Sequence, residues 1–176
     1  MGQVKVLMLI EDLFEDSEAV YPYYRMKEEG YEVKIVGPEA GREYRGKKGL
    51  LLKADVAASQ VDLEDIQAVI IPGGYAPDKM RKDKNMVALI RKMNKDCRLV
   101  AAICHGGWML AEADIIQNRQ VTGARSISTD LVNAGGNFVD REVVVADNVI
   151  TSRGPADLPA FCRSIITLIK EYSKNE

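Results

Sequence analysis

Two hydropathy patterns alternate along this chain, and they predict different elements. Val4–Ile10, Tyr31–Val36, Ala68–Ile71 and Leu99–Ile103 are short runs rich in apolar residues, suited to strands buried in a parallel sheet. Between them, 17–29 (closed by Gly30), 83–94 and 108–113 carry helical spacing. Strand, helix and strand within the first 36 residues make a βαβ unit. The charged, Gly-rich stretch 42–53 has strand signals near Leu50–Leu52 and predicts a hairpin, and 62–65 resembles one helical turn. Further on, 120–122 is a short strand, 129–134 a short helix, and Val143–Ala146 with Val149–Thr151 a strand pair turning at Asp147-Asn148. A last helix starts near Pro155, with Leu158, Phe161, Ile165, Leu168 and Ile169 on one face. The alternation predicts a doubly wound α/β sandwich in a single domain spanning 1–176, with ligands at the carboxyl ends of the strands.

Composition narrows the function classes. A net charge of −2 gives no reason to expect nucleic acid or an anionic membrane as partner. No apolar stretch approaches the length of a membrane span and no basic leader precedes Val4, so the expectation is a soluble, cytoplasmic chain. Three cysteines, no C-x-x-C and one histidine argue against a disulfide framework and against a Cys/His metal site. Cys97 and Cys162 are expected to be buried as small hydrophobes.

The remaining cysteine stands apart. Cys104 lies where the run Leu99–Ile103 hands over to a helical pattern, with Ala102 and Gly106 two residues to either side. That is the layout of a nucleophile elbow with sulfur in place of a serine oxygen. The following helix is expected to favour the thiolate. Three loops should share one rim: the acidic 11–16, Pro72-Gly-Gly-Tyr-Ala-Pro-Asp78, and Cys104-His105. Gly73 and Gly74 are either a tight turn or backbone donors for an oxyanion, with the His105 N–H as a further donor. His105, the only imidazole, is the only histidine partner available to Cys104, although adjacent side chains usually diverge. Among the acidic residues, helix capping by Asp16 or Ser17 is the plain reading, and spacing does not choose which carboxyl meets the sulfur. Asp78 has a similar reading as a cap before the next helix. Tyr75 and Trp108 are candidates to narrow an entrance, with a core position equally open for Trp108.

Phe14-Glu15-Asp16 with Tyr21-Pro22, Pro72–Asp78, Ala102-Ile-Cys-His-Gly106 and Ser152-Arg-Gly-Pro-Ala-Asp157 occur in order over nearly the whole chain. Together they resemble the PfpI family of intracellular proteases, in the superfamily of the parkinsonism-associated deglycase. The resemblance implies a flavodoxin-like three-layer sandwich with a mostly parallel sheet. It implies Cys104 as nucleophile with His105 beside it, Glu15 as the carboxyl on the thiol, and Gly74 with the His105 backbone as oxyanion hole. Gly73, Tyr75 and Gly106 complete the substrate-binding positions. Asp78 is placed to reach the histidine of a neighbouring subunit, which implies a homodimer or larger homo-oligomer with the site near the interface. The implied chemistry needs neither cofactor nor metal: thiolate addition to an electrophilic carbonyl of a peptide or protein amide, a glycated amine or a methylglyoxal-type aldehyde. A non-catalytic alternative is redox sensing through oxidation of Cys104.

Overall fold

The computed structural model describes residues 3–172. Five parallel pairings build the sheet, with helices on most of the crossovers that return the chain in the same direction. In chain order the elements are β1 (Lys5–Leu9), α1 (Asp16–Glu28), β2 (Glu32–Gly37), β3 (Glu43–Arg45), β4 (Leu51–Lys53), β5 (Val56–Ala57), β6 (Ile66–Ile71), α2 (Ala76–Met80), α3 (Lys84–Lys95), β7 (Leu99–Ile103), α4 (Gly107–Glu112), β8 (Gln120–Val121), α5 (Ser128–Asn133), β9 (Asn137–Phe138), β10 (Val143–Ala146), β11 (Val149–Ser152) and α6 (Leu158–Tyr172).

Seven strands form the main sheet in the order β10-β11-β7-β6-β1-β2-β5, antiparallel only between β10 and β11. β1, β6 and β7 lie at its centre, and every residue of β7 is buried. This is why these runs are apolar on both faces of the pleat rather than alternating. α1 packs with α6, and α3 packs with α4, so helices flank the sheet as a three-layer sandwich. The face of α6 predicted from its spacing is buried at Leu158, Phe161, Ile165 and Ile169.

Several elements differ from the sequence reading. Residues 62–65 hold a turn at 64–65 and no helix. The loop after Gly74 contains α2, and Asp83 rather than Asp78 caps α3, its carboxylate accepting the N–H groups of Asn85 at 2.8 Å and Met86 at 3.3 Å. Nor do Asp16 and Ser17 cap α1, whose N-cap Glu15 makes no side-chain cap bond. The Asp16 carboxylate instead accepts the N–H groups of Lys48 at 2.8 Å and Leu50 at 2.9 Å. It thereby clamps the tip of the β3–β4 hairpin against the start of α1. Cys162 is buried as expected, whereas Cys97 is exposed, in a left-handed turn (φ 55°) after α3. No helix among the described residues is long and apolar enough to cross a membrane.

Candidate active site

β1, β6 and β7 end side by side, and the loops that leave them meet at Cys104. Phe14 and Gly74 form an isolated antiparallel bridge that ties the acidic loop to the Pro-Gly-Gly loop, and the Tyr75 N–H donates to the Leu13 carbonyl at 2.9 Å. Gly74 has φ +79°, and a Cβ there would run into the backbone of 13–15, so only glycine fits this crossing.

Cys104 itself has φ +60°. A left-handed conformation is unfavourable for a side chain of this kind and marks the sharp turn of an elbow. Residues Cys104–Gly106 form one 3₁₀ turn before α4. A Cβ on Gly106 would strike the Ile71 carbonyl, which explains the small residue at that flank. The backbone N–H groups of His105 and Gly74 both reach the sulfur. These are the donors expected of an oxyanion hole. Gly73 is not free to join them, because its N–H donates to Glu18 Oε2 at 2.8 Å.

The carboxyl at the thiol is Glu18. It is fully buried, hydrogen-bonds Cys104 and is anchored through Gly73; its other oxygen, Oε1, has no nitrogen or oxygen partner. This corrects the assignment to Glu15. Glu15 stands at the helix N-cap and turns outward, its Oε2 2.8 Å from Lys47 Nζ. One turn into α1, Glu18 lies on the inward stripe with Ala19, Pro22 and Met26. A glutamate heading an apolar stripe was the available signal.

Glu18 holds the proton on Cys104, while the hydrogen bond from Cys104 favours the Glu18 carboxylate. Burial raises the Glu18 carboxyl to about 7, against the Gly73 hydrogen bond. Burial and the neighbouring Glu18 charge push the Cys104 thiol up to about 12, so the thiolate expected from the helix terminus is outweighed. The two groups therefore titrate as one unit, holding two protons below about pH 7 and one above it, with the remaining proton favoured on the sulfur.

His105 is the second polar neighbour. Its Nδ1 is 3.3 Å from Cys104 Sγ and its Nε2 is 3.1 Å from Ser126 Oγ, so the adjacent side chains do converge. Burial, with the Lys47 charge, lowers its pKa. The ring stands edge-on to Trp108 at 5.1 Å, and Trp108 Nε1–H donates to Asp130 at 2.8 Å. Trp108 is thus partly buried beside the site rather than in the core. Tyr75 is 63% exposed, with Lys47 Nζ 5.3 Å from its ring centre. Asp78 is exposed on α2, with Lys82 at 3.8 Å, and within the chain it forms no bond to His105. Ser126 had no sequence signal: it lies in a 3₁₀ turn of three residues far from any motif. No cluster of three or more metal-ligating side chains occurs among the described residues.

Known proteins resemble this chain over nearly its whole length. The model of the DJ-1/PfpI family matches residues 4–168. YraA of Bacillus subtilis, whose name assigns it provisionally to the cysteine proteases, is 43% identical over 166 residues, covering 94% of this chain and 98% of the relative. Deglycase PH1704 of Pyrococcus horikoshii is 42% identical over 167 residues, covering 95% and 100%. Among solved structures, a two-domain protein of Anabaena variabilis with DJ-1/ThiJ/PfpI-like and ferritin-like domains superposes with a TM-score of 0.94 at 40% identity, over 96% of this chain and 48% of that one.

Proposed function

The chain belongs to the DJ-1/PfpI family, and from that premise we propose that it is a cysteine enzyme whose Cys104 thiolate adds to the carbonyl of a small reactive aldehyde or an early-glycated amine. One observation carries the reading: the buried Glu18 carboxyl hydrogen-bonds the Cys104 thiol beneath two converging N–H groups, so a proton has a direct path between them. When that proton sits on Glu18, the carboxyl is neutral and the sulfur is the nucleophile. The N–H groups of Gly74 and His105, now facing a thiolate, are also placed for the oxyanion that forms on addition.

With methylglyoxal the sequence balances without a cofactor. The thiolate bonds the aldehyde carbon, and the oxygen takes the Glu18 proton to give a hemithioacetal. Glu18 carboxylate then removes the proton from that carbon and delivers it to the neighbouring carbon, while the hydroxyl proton passes to the former ketone oxygen, leaving a lactoyl thioester. Water releases lactate and restores the thiol. On a glycated amine the same addition begins the release of the amine. The deglycase name of the Pyrococcus horikoshii relative supports carbonyl chemistry, and the YraA name supports the amide alternative.

The test is lactate formation from methylglyoxal by wild type and Cys104→Ser at equal concentration. A fall of about 100-fold or more in the variant is expected, since nucleophile and proton transfer are both lost. Equal lactate from both would refute the nucleophile. No turnover by wild type whose Cys104 still alkylates rapidly would overturn the aldehyde reading in favour of an amide substrate.

A further inference from the structure

His105 needs a second partner if its ring is to serve the sulfur, and the structure assigns that partner within the same chain: we propose that Ser126 is the positioning residue of His105, its hydroxyl donating to Nε2 so that Nδ1 keeps its proton and donates it to Cys104 Sγ. The inference deepens the reading of Cys104 as nucleophile and rests on it.

The geometry is a continuous line. Sγ lies 3.3 Å from Nδ1, and Nε2 lies 3.1 Å from Ser126 Oγ. The serine is exposed, and its place against the ring is set by its backbone. Its turn, Arg125–Ile127, is pinned to the elbow by the Ala124 N–H donating to the Cys104 carbonyl at 3.2 Å, and Ile127 beside it is buried. The loop before it is held by the Thr122 N–H donating to Thr151 Oγ1 at 2.9 Å. Downstream, Asp130 takes the Trp108 Nε1–H, and Trp108 closes one edge of the imidazole. One loop thus fixes two sides of the ring through two residues.

Proton bookkeeping decides the direction of the bond. A neutral imidazole carries one N–H, and the group at one nitrogen selects which. The thiol proton is directed to Glu18, so the sulfur has only lone pairs to offer Nδ1. When the proton passes to Glu18, the thiolate again requires a donor. Nδ1–H satisfies both states with no change of tautomer, and Ser126 Oγ–H then completes Nε2. A carboxylate in place of Ser126 would accept from Nε2 and either reverse the tautomer or create an imidazolium. The charged groups facing the ring are Lys47, Glu18 with Cys104, and Asp130 through Trp108. Lys47 disfavours the imidazolium, which keeps the ring neutral at the pH where the serine bond matters.

The chain contains a single histidine, so the untagged protein gives one set of imidazole nitrogen resonances. The expected wild-type spectrum at pH 7.5 is that of a neutral ring protonated at Nδ1; a ring protonated at Nε2 would overturn the proposal without any substitution. Ser126→Ala is expected to lose the Nδ1–H preference and to slow iodoacetamide alkylation of Cys104 by about threefold to tenfold, the equivalent of one net hydrogen bond. Ser126→Thr, which keeps the hydroxyl, should restore both. An unchanged tautomer and alkylation rate in Ser126→Ala would refute the assignment. Both readouts are independent of substrate, so failure of the methylglyoxal assay leaves them decisive.

Discussion

A buried carboxyl with a raised pKa is a cost to the fold, and at Glu18 its sign follows from linkage. In the unfolded chain the group ionises near its ordinary value of 4.5, and in the folded chain at about 7. Between those values the folded state holds the extra proton, so stability falls as pH rises through this window and then levels. The shift corresponds to roughly 3 kcal/mol of lost stability at pH 8. Glu18→Gln keeps the acceptor for the Gly73 N–H but carries no charge. Its melting temperature should exceed that of wild type at pH 8 and converge with it near pH 5. A constant difference across that range would show that Glu18 does not titrate in the fold. The same substitution removes the proton acceptor. Wild-type alkylation of Cys104 should rise through about pH 7, as the thiolate–carboxyl form becomes populated, and then level. In Glu18→Gln that step should vanish, leaving one rise at higher pH where the thiol ionises by itself. Stability is gained and the nucleophile is lost, as expected where strain and buried charge serve chemistry.

At the scale of elements, the β3–β4 hairpin is what brings a cation to the rim. Its Tyr44 is fully buried, and a Cβ on Gly37 would collide with that ring, so the hairpin is seated from below. Its tip is held by the Asp16 carboxylate and delivers Lys47 to Glu15. Asp16→Ala should free the amides of Lys48 and Leu50, raising their hydrogen-exchange rates well above those of β1, and should cost about 1–3 kcal/mol of stability. Retained protection of both amides would mean that the tip is held by other contacts. The sequence showed the hairpin but not the clamp. Asp16 reads as an ordinary helix cap because capping and long-range loop binding use the same short carboxylate. Glu15 and Glu18 pose the same problem: both precede or open α1, and only the burial of the stripe Ala19, Pro22 and Met26 separates the one that turns inward.

For the molecule as a whole, the strands were the most legible part, because β1, β6 and β7 are apolar on both faces and announce a buried parallel sheet. The elbow followed from them, since a strand end, a cysteine and a small residue fix its place. Elements too short for a period were mostly not legible: α2 is five residues with a proline, and β5 and β9 are two residues each, although the short strand read at 120–122 is β8. Ser126 belongs to this class, a single hydroxyl placed by tertiary contacts alone. Its position bears on how many chains the site needs. The family resemblance implies an acid from a neighbouring copy, with Asp78 at the matching position. In this chain His105 Nε2 already meets Ser126, and Asp78 is exposed beside Lys82. If the in-chain serine is the functional partner, Asp78→Ala should change the Cys104 alkylation rate by less than about twofold, the size of a lost surface ion pair. Dilution of wild type should leave that rate unchanged as well. A large fall in Asp78→Ala, restored by mixing with a Cys104→Ser chain that still carries Asp78, would instead place an acid from a second copy at the imidazole and make the site a property of the assembly.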